Sequence, residues 1–406
     1  RRHRLPCPSV ATGRVEHAMA GRPVLRRWGA SWHRNDSIVV AVAAMATAAA
    51  GATHVWAGTT VAPFAVGAVA LASVATVVGR SVRHLGSRWS PAATGVVQAT
   101  VGNLPELLFG IFALRSGLGT VVEASLIGSV LANALLVLGI ACLVGGLRHG
   151  IQRFAADGAR ATAVLLLLAT AVVAIPSTMA IGHSAGPSRI RMISVVAAVA
   201  LLVAYGASLL AGLRHGATKH CGADGAAVQQ IAAVARGATT PPGPNPEMRD
   251  EGSWPADLAL GVLVVAAVAA GAVSDWFVAG LRPALAGLGV SQTFIGVVVV
   301  AIAGNAVENV GGVAFAARNQ MDHAIAGILG SPVQVLLGVF PILVLVAPVF
   351  GASLSFAVPA LLLVALAVAA VVTVAVVVDG ASTWVEGVCL IGLYSVVAAA
   401  AFSLGH

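Results

Sequence analysis

Charge is what this sequence most lacks: 9% of its 406 residues are Asp, Glu, Lys or Arg, where soluble domains carry about 25%. Hydrophobic residues make up 58% and the mean hydropathy is +0.94, which no soluble fold of this length needs. Cysteine is scarce as well. Cys7, Cys142, Cys221 and Cys389 are scattered without CxxC or ligand spacing, which excludes a disulfide framework and a zinc site. No short apolar core followed by small residues occurs near the start, so no secretory signal is read there. Residues 1–35 are Arg-rich, polar and aperiodic, and Met19 is the first Met. They read as a mis-set start or a processed tail; residues 1–36 are expected to be a disordered basic tail outside the fold.

What is present is a set of long apolar runs and 46 glycines, the small residues through which helices pack in a bilayer. Eleven runs approach the ~20 residues that cross a membrane as a helix. They lie at about 37–57, 61–79, 92–114, 121–146, 161–181, 190–212, 256–281, 293–317, 322–347, 353–378 and 383–404. Between the sixth and seventh lies a long polar connection, 213–255, whose Pro-rich stretch from Thr239 to Pro246 cannot continue a helix. The formal charge of +8 sits in the tail and in loops between spans, so it orients the spans rather than binding nucleic acid. With a cytoplasmic N-terminus, Arg115, Arg189, Arg191 and Arg282 alone of the 23 Lys and Arg residues face outward. The expected fold is therefore an all-α polytopic membrane protein of about 11 transmembrane helices, in the plasma (inner) membrane. A leading helix, 37–57, precedes two five-helix repeats, 58–212 and 256–406, joined by a cytoplasmic linker, 213–255. Five spans per repeat place the second upside down relative to the first.

One motif occurs in both repeats. Gly102-Asn103-Leu104-Pro105-Glu106 and Gly304-Asn305-Ala306-Val307-Glu308 superpose with a shift of 202, which also carries Gly128-Ser129 onto Gly330-Ser331. A carboxylate at membrane depth costs about 2.5–3.5 kcal/mol on insertion scales and rarely stands without a task. Asn103 and Glu106, three apart, share one helix face, as do Asn305 and Glu308. With Ser129, Asn133, Ser331 and Gln334 they offer the all-oxygen shell that a hard cation such as Ca²⁺ prefers. No Cys or His lies near the motifs, which argues against Zn²⁺ or Cu⁺. Gly102, Pro105, Gly304 and Pro332 weaken the helices there, so backbone carbonyls can face an ion. The alternative for the two Glu is a structural polar contact between helices. Ser129, Asn133, Ser331 and Gln334 read equally as ligands or as helix-to-helix hydrogen-bonding residues. Asp275, beside Trp276 and Phe277, reads either as interfacial or as a gating and proton-relay carboxylate.

The run from Ala75 to Gly146 resembles the first half of calcium/proton exchangers of the cation/Ca²⁺ exchanger superfamily. It does so through Gly102-Asn103-Leu104-Pro105-Glu106 and Ala124-Ser125-Leu126-Ile127-Gly128-Ser129 leading to Asn133. Residues 294–345 resemble the second half, through Phe294-Ile295-Gly296, Gly304 to Glu308, Met321-Asp322 and Gly330-Ser331-Pro332-Val333-Gln334. The resemblance implies that Glu106 and Glu308 coordinate Ca²⁺, assisted by the Asn, Ser and Gln residues named above, and that cytoplasmic Ca²⁺ is exchanged for protons. The chain departs from that pattern at Asn309, where members usually carry His, at Pro332 and Val333, where Ser and Thr are usual, and in the central linker, which is not the acidic tract of many relatives.

Charge balance supplies the mechanism. Two carboxylates in one poorly solvated cavity resist joint ionisation and are neutralised by one divalent cation or by protons, so competition plus alternating access gives antiport. The expectation is a transporter rather than an enzyme, with no cofactor, Ca²⁺ and H⁺ as cargo and the lipid bilayer as partner. The rivals are a Na⁺-coupled or other divalent cation exchanger, an intramembrane aspartyl protease and a non-transporting sensor. The protease needs aspartates in motifs such as Gly-x-Gly-Asp, and the spans contain none.

Overall fold

The computed structural model describes residues 34–56, 61–86, 101–216 and 254–403, with the side chains of 211–216 and 306–308 excepted. The expected tail (1–36) therefore falls almost entirely, and the linker (213–255) mostly, outside the described residues. The described chain is helical. α1 (Arg34–Trp56), α2 (Ala62–Gly86), α3 (Leu104–Arg115) and α4 (Gly119–Leu131) come first. A π-helical stretch, Ala132–Val137, joins α4 to α5 (Leu138–His149) without a break in the span. Then follow β1 (Gln152–Arg153), α6 (Ala156–Ile181) and α7 (Pro187–Gly216).

The second half repeats this order. α8 (Ala256–Leu288) is followed by α9 (Gln292–Phe294), a π stretch Ile295–Val300, α10 (Ala301–Gly304) and α11 (Ala306–Ala316). α12 (Met321–Gln334) passes through a π stretch, Val335–Val339, into α13 (Phe340–Val346) and the 3₁₀ turn Ala347–Phe350. α14 (Ala360–Val377), β2 (Ala381–Ser382) and α15 (Trp384–Ser403) complete the chain. Among the described residues nine helices are long and apolar enough to cross a membrane, and ten if the bent pair Gln292–Gly304 and Asn309–Ala316 is one span. The expected count of eleven is not reached, because the first part of the third span, 92–114, falls on residues outside the described ones. What remains of it is the 12-residue α3.

Other boundaries move for local reasons. α1 starts at Arg34 and buries Asp36, which the sequence placed in the tail. α8 runs on through Arg282 and Pro283 to Leu288 and stops at Gly289, whose φ of 63° is a left-handed helix end that glycine adopts without strain. The apolar run beginning at 353 is not helical until Ala360. Its backbone is held instead by side chains: Ser177 Oγ donates to Phe356 O (2.5 Å), and Ser194 Oγ accepts from Phe356 N (3.1 Å).

α4–α5 and α12–α13 form the buried centre, while α1 exposes Ile38, Val42 and Met45 to the bilayer. Loop contacts sort the connections into two faces. On one, β1 pairs antiparallel with β2, Gln152 Nε2 donates to Ala316 O and Asn319 Oδ1 (both 3.0 Å), and His149 Nε2 meets Ala317 O at 3.0 Å. On the other, Arg282 bonds Ser116 O, and Ser291 Oγ donates to Ala401 O (2.9 Å). Gly117 and Asn319, 202 residues apart, are both left-handed turns before a central span, with φ of 71° and 60°. Gly117 stands at the start of the helix that ends at His149, and Asn319 lies beside that end. Counterpart turns thus sit on opposite faces, so the halves are inverted.

Candidate cation site

The two Gly-Asn motifs break their helices in the same way. Asn103 (φ −90°, ψ 10°) and Asn305 (φ −100°, ψ 9°) leave helical geometry, and α3 and α11 begin at the next residue. An Asn at this position ordinarily caps its own helix. Neither does so here. Both amides reach across to the other half: Asn103 Nδ2 donates to Gln334 Oε1 (2.7 Å), and Asn305 Nδ2 donates to Ser129 Oγ (2.7 Å). Ser129 Oγ in turn donates to Glu106 Oε1 (3.3 Å), and Ser331 Oγ donates to Asn305 Oδ1 (3.3 Å). A polar chain thus runs from Glu106 through Ser129 and Asn305 to Ser331, crossing between the repeats.

The setting suits a dehydrated cation. Asn103, Ser129, Asn133, Asn305, Ser331 and Gln334 are all buried, and Glu106 is partly buried in the first turn of α3. Its place is the positive end of that helix. Asn133 Nδ2 donates to Ser129 O (3.0 Å), while its Oδ1 is buried and has no hydrogen-bond partner among the described residues. Pro332 lies inside α12 and has no N–H to give to Ile328 O, which leaves that carbonyl without its usual helical donor. The π stretches beginning at Ala132 and Val335 stand directly beyond Ser129 and Gln334, where the carbonyl ladder is re-aimed.

Two small cavities flank Glu106. One, about 20 Å³, is lined by Glu106, Ser125, Ser129, Ala301 and Gly304 among others. The other, about 60 Å³, is lined by Asn103, Glu106, Gly304, Asn305 and Arg83 among others. Each has room for a bare ion or a few waters, not for an organic substrate. Among the described residues no group of three or more His, Cys, Asp or Glu side chains gathers, so the donors around Glu106 are hydroxyl and amide oxygens. Hard cations take this donor set.

The structure brings together Glu106, Asn103, Asn305, Ser129, Ser331 and Gln334, with Asn133 one turn beyond Ser129. Glu308 is the third residue of α11, in its first turn as Glu106 is in that of α3, and its side chain lies outside the described residues. Asp275 is apart. Its side chain is exposed and lines neither cavity, and the adjacent Trp276 stacks on His54 (6.1 Å) in the last turn of α1, where that span ends. Two residues near the site were not read as site residues from the sequence. Ser125 lines the smaller cavity, and the stripe Val122, Ser125, Leu126, Ser129 at helical spacing was its signal. Arg83 was read only as an orienting charge.

The family profile described as sodium/calcium exchanger protein matches residues 37–213 and 258–403. A Ca(2+)/H(+) antiporter of Aphanothece halophytica is 31% identical over 342 residues, 84% of this chain and 89% of that protein. The Ca(2+)/H(+) antiporter ChaA of Bacillus subtilis (strain 168) is 33% identical over 84% of this chain and 92% of its own. The solved structure of native YfkE superposes with a TM-score of 0.71 at 29% identity, covering 90% of this chain and 98% of that one.

Proposed function

Because this chain belongs to the sodium/calcium exchanger family, we propose that it is a Ca²⁺/H⁺ antiporter that exports cytoplasmic Ca²⁺ in exchange for protons. The observation that carries the reading is the polar chain Glu106–Ser129–Asn305–Ser331, which joins the two inverted halves at their helix breaks. The relatives named as Ca²⁺/H⁺ antiporters favour protons over Na⁺ as the coupling ion.

The protein is an integral membrane protein, placed here in the plasma (inner) membrane with its N-terminus cytoplasmic. The boundaries 58–212 and 256–406 are kept for the repeats, with 213–255 as the linker. Glu106 and Glu308 supply the charge that balances Ca²⁺, and Asn103, Asn305, Ser129, Ser331, Gln334 and Asn133 complete its shell with neutral oxygens. When Ca²⁺ leaves, the paired carboxylates take up protons, since two unscreened charges in so small a space repel. Asn309 does not titrate, so coupling rests on the two Glu, with Asp275 as a relay at the aqueous boundary. Hydrogen bonds between halves constrain each state, so neutralising the shared site permits the halves to rearrange and access to switch sides.

The test is Ca²⁺ uptake into everted vesicles with the proton and Na⁺ gradients varied separately. Uptake should follow the proton gradient, and Glu106→Gln and Glu308→Gln should each abolish it at matched expression, because Gln keeps an oxygen but removes the charge. Uptake that ignores the proton gradient and follows Na⁺ would replace this reading with Na⁺ coupling. Wild-type rates in either Gln variant would remove the shared site.

A further inference from the structure

The loop after α5 reaches across the halves. Gln152, in β1, is 1% exposed, and both hydrogens of its amide go to one turn of the second half: Nε2 donates to Ala316 O and to Asn319 Oδ1. Chemistry fixes the way this amide points, since a backbone carbonyl only accepts and the nitrogen must face it. The oxygen, Oε1, lies against α5, 1.7 Å from the place that a Cβ on Gly145 would take. It is buried and has no hydrogen-bond partner among the described residues. Gly145 thus forms the seat in which the amide rests. Leaving a carbonyl oxygen dry is costly and offsets what the two bonds gain, so Gln152 supplies direction rather than net stability.

The turn it holds joins the two site-bearing helices of the second half. Ala316 ends α11, and Asn319, with φ of 60°, leads into α12, which carries Ser331 and Gln334. α11 has only 11 residues, and Val310 on it is exposed. Its first end is tied to the first half through Asn305 and Ser129. Gln152 ties the other end to the same half, and a short helix that loses one tie can pivot about the other. The arrangement is reciprocal: α3, the counterpart helix, has Arg282 of the second half bonded to Ser116 O beyond its far end.

We propose that Gln152 is a positioning residue for the cation site: it clamps the far end of α11 to the first half and so sets how sharply the site discriminates between divalent cations of different size. A shell whose ligands are held at fixed separation favours one ionic radius, whereas a flexible one adapts to several. Gln152 touches no cation and acts through the helix that begins at Asn305 and carries Glu308.

This inference rests on the Ca²⁺/H⁺ reading, and the experiment separates the two. Ca²⁺ uptake into everted vesicles is measured with Sr²⁺ as competitor. The readout is the Sr²⁺ concentration that halves uptake relative to the KM for Ca²⁺, a ratio that does not depend on the amount of active protein. Wild-type uptake driven by a pH gradient tests the parent reading; if another cation proves to be carried, the comparison is made on that cation and a larger ion of the same charge. Gln152→Leu, which keeps the bulk and removes both donors, should lower the ratio by about three- to tenfold. Gly145→Ala, which evicts the amide from its seat, should act in the same direction. Asn319→Gly, which keeps the left-handed turn and removes one acceptor, should give a smaller change, and Asn319→Asp, which keeps the acceptor, should resemble wild type. The double variant Gln152→Leu, Asn319→Gly should match Gln152→Leu alone, because the Asn319 acceptor then has no donor left to lose. An unchanged ratio in Gln152→Leu overturns the proposal, even where total uptake falls, since Gln152 would then only hold the fold together. So does Asn319→Asp behaving as Asn319→Gly, and so does an additive double variant.

Discussion

Ser129 occupies the most constrained position in the centre, because one hydroxyl serves both halves. It accepts from Asn305 Nδ2 (2.7 Å) and donates to Glu106 Oε1 (3.3 Å), so removing it strands a buried amide hydrogen and frees the carboxylate to rotate. Stranding a buried donor costs about 1–3 kcal/mol, which corresponds to roughly 5- to 150-fold in an equilibrium constant. Ser129→Ala should therefore raise the KM for Ca²⁺ by about tenfold with the protein still inserted. Thr170 provides the comparison. Among the described residues its buried hydroxyl bonds only Leu166 O of its own helix (2.8 Å), away from the site, and Thr170→Val should leave the KM unchanged. Equal KM in wild type and Ser129→Ala would show that Ser129 only ties helices together. The sequence named this residue and its neighbours because polar side chains within apolar runs stand out. Their pairing was not legible there. The 202-residue shift would match the bond from Asn305 to Ser129 with one from Asn103 to Ser331, yet Asn103 bonds Gln334, which has no polar counterpart at Ala132. The exception is a choice among nearby acceptors that only the packed structure makes.

At the scale of elements, the central crossing of α4 with the π stretch Ile295–Val300 depends on two glycines that face each other's backbone. A Cβ on Gly128 would stand 2.5 Å from Val297 Cα, and one on Gly296 would stand 2.6 Å from Ala124 Cβ. Neither obstacle is a flexible side-chain tip, so the two segments must part. Overpacking of this kind costs about 1–3 kcal/mol. Gly128→Ala should lower the Tm of the purified protein in detergent by roughly 2–3 °C, and slow transport by moving Ser129, one residue on. Gly392→Ala, on α15 with open space around it, should change neither. Equal Tm for all three proteins would mean that the crossing relaxes without loss. The spans were legible because twenty apolar residues have few alternatives, and the breaks because Gly-Asn does not sustain a helix. The π stretches were not. Ile295–Val300 is an unbroken apolar run, and the extra residue it accommodates answers to the helix across from it, not to its own side chains. The extended segment before Ala360 escaped for the same reason: its acceptors and donors, Ser177 and Ser194, lie more than 150 residues earlier.

At the scale of the whole molecule, inversion is what allows one site to face two compartments, since each half presents to one side what its counterpart presents to the other. The loop contacts make a strict claim about sides. Arg153 and Ala381 are partners in the β1–β2 ladder, although 228 residues separate them. Two connections can pair only if both are on the same face. Arg282 and Ser353 belong to the opposite face, where Arg282 bonds Ser116 O and Ser353 O lies 3.9 Å from the place of a Cβ on Gly119. With the native cysteines replaced, single cysteines at Arg153 and Ala381 should be shielded in intact cells from an impermeant thiol reagent and become reactive in everted vesicles. Cysteines at Arg282 and Ser353, both exposed, should react in intact cells. Partner positions in an antiparallel ladder have Cα atoms about 4.5–5.5 Å apart, within disulfide reach. The double variant Arg153→Cys, Ala381→Cys should thus cross-link on mild oxidation, locking the loop after α5 to the one before α15. Labelling of Arg153 and Arg282 positions from the same side would contradict the inverted arrangement, because a span count that puts both on one face cannot also place the Gly117 and Asn319 turns on opposite ones.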